Sequence, residues 1–140
     1  MKEGIQTFLA EAGESACYAL CIVRIAEMFT RREFDPLTAL QRGIELGCIK
    51  YNPADANDND NFFVERPDDF LGLLTGELWS VTKESADYKW GNGEFVVERW
   101  ERSRPAGITG HFRLPSWDSL IGSQTVKFGN IASLRVFRRV

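Results

Sequence analysis

Three side chains of this sequence have the types and order of a thiol–imidazole–carboxylate site: Cys17, His111 and Asp118. His111 is the chain's single histidine, so proton transfer by imidazole near neutral pH must run through it. A free thiol ionises at about pH 8.5, and a helix N-terminus together with an adjacent imidazolium lowers that value, storing a thiolate nucleophile. The imidazole in turn needs a carboxylate on its other nitrogen to fix its tautomer. Asp118, seven residues beyond His111 and after the Pro115-Ser116 turn, is the best candidate, and Trp117 beside it is expected to shield the hydrogen bond from water. A thiolate attacking a carbonyl also requires donors for the oxyanion. The backbone amide of Cys17 and the side chain of Gln6 are the candidates for that role.

The elements that must position these groups are legible in the periodicity. From Ser15 to Phe29, residues Ala16, Cys17, Ala19, Leu20, Val23 and Ala26 form one helical stripe, with Arg24 and Glu27 opposite. Glu14 or Ser15 is the expected cap, which puts Cys17 in the first turn, where unpaired amides carry a positive partial charge. Asp35-Pro36 opens a second helix that stops at Gly47, and Pro67-Asp68-Asp69 opens a short third one that stops at Gly76. Between them, the run 52–61 is dense in Asn and Asp and reads as a surface loop. Its spacing lacks the closing Glu and internal glycine of a calcium loop.

From Glu77 onward the texture changes to short runs rich in Val, Phe, Trp and Ile, broken by turn residues. Strands are expected near 78–83, 94–101, 108–114, 123–128 and 131–138. Helices first and strands afterwards predict an α+β fold, N-terminal helices packed on a C-terminal antiparallel sheet, with residues 1–140 as a single domain. On the strand 108–114, alternation sends Ile108, Gly110, Phe112 and Leu114 to one face and Thr109, His111 and Arg113 to the other. The thiol meets the imidazole if the first helix crosses the edge of the sheet at this level.

Composition narrows the function classes. A formal charge of −3 and pI near 5.2 argue against a nucleic-acid partner. The arginines at 99, 102, 104, 113, 135, 138 and 139 are expected on solvated strand faces. Three cysteines, at 17, 21 and 48, do not describe a disulfide framework, and with one histidine they do not describe a zinc site either. Cys21 and Cys48 are expected to be core. No apolar run approaches the ~18 residues of a membrane span. The expectation is a soluble protein of the cytoplasm, with no metal or other cofactor and no membrane partner. Open strand edges permit a dimer without requiring one.

Ser15-Ala16-Cys17-Tyr18-Ala19-Leu20, followed by Gly110-His111-Phe112 and Trp117-Asp118, resembles the papain-like cysteine peptidase superfamily, especially its bacteriocin-processing-type branch. The ending, Trp117-Asp118-Ser119 through Gly122-Ser123-Gln124-Thr125-Val126 and Ser133-Leu134-Arg135-Val136-Phe137, looks closer still to an uncharacterised family of small bacterial and phage proteins. The resemblance implies a papain-like fold with Cys17 as nucleophile, His111 as general base and Asp118 as the orienting acid. It implies hydrolysis of an amide bond in a peptide, protein or peptidoglycan-like substrate through a thioester. Its alternative is a non-catalytic binding or accessory protein of a phage or mobile element on the same fold. Tyr18 stands where that branch usually has glycine, Ser119 where it has proline, and Glu11 where a glutamine commonly donates to the oxyanion.

Overall fold

The computed structural model describes residues 16–51, 62–104, 107–119 and 129–140. The order of elements is α1 (Cys17–Thr30), α2 (Pro36–Glu45), β1 (Ile49–Tyr51), β2 (Phe62–Val64), α3 (Pro67–Thr75), β3 (Trp79–Ser85), β4 (Glu94–Arg104), β5 (Gly107–Arg113) and β6 (Asn130–Arg139). This is an α+β arrangement with antiparallel sheets. The expected strand at 123–128, Glu14, Ser15 and the loop 52–61 lie outside the described residues.

The local signals act as the residue types require. Asp35 caps α2, its carboxylate accepting from the Thr38 backbone at 3.2 Å, with Pro36 in the first position. α3 also begins on a proline and ends at Gly76, whose φ of 76° is the left-handed conformation a helix C-terminus favours. α1 departs from expectation at its start: the cap is Ala16, which has no side-chain oxygen to give. Its buried set is also wider than one stripe, adding Ile22 and Ile25, both fully buried, to Ala19, Val23 and Ala26. A helix apolar on so much of its circumference must be covered on several sides. α3, the edge strand β5 and α2 cover most of it, and β2 and β4 also touch it.

The pair β1–β2, with Ile49 opposite Val64, was not anticipated, because three-residue strands on either side of an Asn/Asp-rich run carry too little alternation. The larger sheet has the order β3-β6-β4-β5, so β5 is an edge strand. Cross-strand partners divide its two faces. Phe95, Val97, Phe112, Leu114 and Phe137 join the helices in the main core. Val96, Leu134 and Val136 form a second, smaller cluster on the outer face with Tyr88 and Ile131. No helix among the described residues is long and apolar enough to cross a membrane.

The packing of α2 on this core is tight at one point. A Cβ on Gly43 would stand 2.7 Å from Ile49 Cδ1 and 2.8 Å from Phe70 Cε1. Gly43→Ala gains up to about 1 kcal/mol in helix propensity, but the overpacking costs about 1–3 kcal/mol. The variant is expected to unfold at lower urea concentration than the parent with an unchanged m-value.

Candidate active site

The reversal after β5 places the carboxylate. Pro115 and Ser116 occupy the centre of a tight turn, across which Leu114 N–H donates to Trp117 O at 2.8 Å and Trp117 N–H to Leu114 O at 3.3 Å. The chain therefore doubles back, and Asp118 comes to lie beside the residues that precede the turn. Both of its oxygens stand 3.0 Å from His111 Nε2. A carboxylate only accepts, so the contact assigns the proton to Nε2 and leaves Nδ1 as the proton-accepting nitrogen of the neutral ring. His111 and Asp118 are each 5% exposed.

Sequence reasoning missed the rest of this cluster. Arg113, expected on a solvated face, is only 2% exposed. Its Nη1 lies 3.7 Å from Asp118 Oδ2, and its guanidinium stacks 4.0 Å from the centre of the Trp100 ring. Trp100 is the cross-strand partner of His111, and its indole N–H donates to Glu98 Oε1 at 3.0 Å. Glu98 is buried as well, directly across from Arg113. The signal was present: alternation that sends His111 to the outer face sends Arg113, and the Glu98 and Trp100 opposite them, to the same face. Trp117, the expected shield, packs instead on the main core.

Cys17 begins α1 as expected and is 8% exposed. Its Sγ accepts a hydrogen bond from the backbone N–H of Phe112 at 3.4 Å. In an edge strand every second amide points away from the sheet, and the Phe112 amide is one of these. The thiol thus sits at the rim of β5, one peptide bond from His111, while the imidazole springs from the outer face and the Phe112 ring from the inner. Inside, Tyr18 stacks on Phe112 with centroids 4.4 Å apart. The proposed oxyanion donor Gln6 and the departing Glu11 lie outside the described residues.

The expectation of a lowered thiol pKa is corrected. Burial pushes the Cys17 thiol up, against the opposing pull of the Phe112 and Tyr18 amides and the Arg99 guanidinium. Cys21, fully buried one turn later, is driven higher still, with the Cys17, Asp118 and Glu98 charges adding to desolvation. Cys48 is buried too, as expected of a core cysteine. No family model, curated protein or solved structure matches this chain.

Two outcomes follow. A thiol whose folded pKa is raised stabilises the fold fully below its unfolded value of about 8.5, and that contribution is lost as pH rises above it. Urea unfolding between pH 7 and 10 should therefore show stability falling above about pH 8.5, with a shallower fall in Cys21→Ala. Arg113→Met removes the guanidinium that stacks on Trp100 and strips a buried carboxylate of a cation. The expected cost is about 3 kcal/mol in the same assay.

Proposed function

We propose that this protein is a papain-like cysteine hydrolase that cleaves an amide bond of a peptide or peptidoglycan-like substrate through a thioester. The observation that carries the reading is the Asp118 carboxylate on His111 Nε2, on a strand whose next amide is held by the Cys17 sulfur. A carboxylate-held imidazole with its other nitrogen as base, and a thiol at a helix start bonded to the amide that follows the histidine, are the parts from which nucleophilic catalysis by cysteine is built.

In this reading the resting thiol is protonated, because burial outweighs the groups that favour the thiolate. His111 Nδ1 takes the proton as Sγ attacks the carbonyl carbon, and Asp118 holds the resulting imidazolium by the Nε2–H. The developing oxyanion meets the Cys17 amide at the head of α1, where Ala16 supplies no competing cap. The imidazolium then protonates the leaving amine as the C–N bond breaks, giving the thioester. Water attacks the thioester with His111 again as base, releasing the carboxylic acid and restoring the thiol.

The second reading, a non-catalytic binding or accessory protein on the same fold, draws on one observation. The Cys17 sulfur already accepts the edge amide of β5, a structural duty that a buried neutral thiol performs without any chemistry.

An N-acetyl-Ala-Ala acyloxymethyl ketone separates the two. Its carbonyl is attacked by a thiol in the geometry of the amide reaction, and its adduct is located by mass spectrometry. On the hydrolase reading Cys17 is modified at neutral pH, before Cys21 and Cys48, and His111→Ala slows the modification by about 10²–10⁴-fold, the usual worth of a general base. Equal, slow modification of all three cysteines, unaffected by His111→Ala, would make the binding reading the right one.

A further inference from the structure

The inner face of β4 and β6 beside Cys17 carries two guanidinium groups that have no carboxylate among the described residues. Arg99 Cζ lies 4.8 Å and Arg135 Cζ 5.6 Å from the centre of the Phe112 ring, the ring on which Tyr18 stacks. Neither arginine has an ion pair among the described residues; Arg135 Nη1 donates only to Ser133 Oγ, at 2.7 Å. Both are half-buried, and Arg135 is depressed by desolvation and by the like charge of Arg99. The Tyr18 hydroxyl, close enough to Arg135 for each to influence the other's charge, is buried with no hydrogen-bond partner among the described residues.

Such a grouping is costly with nothing between its members. Like charges repel, and a buried hydroxyl without a partner forfeits its hydration. Other arginines of the chain do have a carboxylate: Arg24 has Glu27, Arg66 has Asp69, Arg113 has Asp118 and Arg138 has Glu94. Asp68, the acid whose charge reaches Tyr18, bridges neither Arg99 nor Arg135. The backbone is also shaped to admit the group. Arg99 lies over Gly110, and a Cβ at that position would collide with its guanidinium.

We propose that Arg99, Arg135 and the Tyr18 hydroxyl, grouped around the Phe112 ring beside Cys17, form an anion-binding subsite for a carboxylate of the peptide substrate. Planar guanidinium forks match the two oxygens of a carboxylate, and the phenol adds a third donor. The subsite's role in orienting a scissile bond rests on Cys17 being the nucleophile; the binding of the anion does not. A carboxylate held here selects substrates with a free C-terminus or an acidic side chain next to the cleaved bond.

The test is binding of three small probes to the intact chain by ligand-observed NMR at low salt. N-acetylalanine presents a terminal carboxylate, N-acetylaspartate α-amide a side-chain carboxylate, and N-acetylalaninamide none. At least one acid is expected to bind fivefold or more tighter than the amide, and which acid does so identifies the source of the carboxylate. Arg99→Gln and Arg135→Gln should each abolish the preference. Arg135→Lys, which keeps the charge and the fold, should retain part of it. Acids and amide binding alike, no binding of any probe, or a preference that survives both glutamine variants would overturn the subsite. The acyloxymethyl ketone reports separately on the thiol. Cys17 modification without acid preference removes the subsite alone, and acid preference without modification removes the hydrolase reading alone.

Discussion

A single weak hydrogen bond, from the Phe112 amide to the Cys17 sulfur, decides how the two halves of the described chain meet. An edge strand leaves alternate amides unpaired, and inside a fold each must find an acceptor. Here the acceptor is the first side chain of α1, so the helix start is tied to one residue of β5. The bond is about the weakest kind of amide hydrogen bond, yet it selects register. A helix advanced by one residue would present Tyr18 at the rim in place of the thiol. Because Phe112 follows His111, the tie that seals the edge also brings the sulfur to the imidazole's own peptide.

The outer face shows why the histidine and its partner are buried without being apolar. Glu98, His111, Arg113 and Asp118 come from adjacent strands and the turn that follows, and all four are nearly out of water. A buried polar set of this kind persists only where its members are paired. Asp118 holds His111 and stands beside Arg113, and the Trp100 ring, with Arg113 stacked on it and its N–H satisfied by Glu98, covers the group.

How far the sequence could be read follows from the range of each interaction. α2 and α3 were legible because Asp35-Pro36, Pro67 and Gly76 act within one turn of where they stand. The face of His111 was legible because alternation is a property of the backbone alone. Arg113 was misjudged because its burial depends on Asp118, which reaches it only through the tight turn at Pro115-Ser116. The Cys17 pKa was misjudged for a related reason. The helix start was visible locally, whereas the desolvation that outweighs it, and the Arg99 charge that opposes it, come from long-range packing. The family resemblance supplied roles for Cys17, His111 and Asp118; it contained no signal for Glu98, Arg99 or Arg135.

The sheet then divides the tasks by face, with the thiol on the line between them. Alternation forces neighbours on β5 to opposite sides, so the strand that sends His111 outward to Asp118 must send Phe112 inward to Tyr18. The histidine and the buried carboxylates collect on the outer face. Arg99 and Arg135, which have no ion pair among the described residues, collect on the inner face, around Phe112. On the proposed hydrolase reading, a nucleophile placed on either face would be near one set and screened from the other by the strand itself. At the rim, on the amide between the two residues, the sulfur is adjacent to both. That is a geometric reason for a cysteine at the first position of α1, and it follows from the period of a strand, independent of what the substrate is.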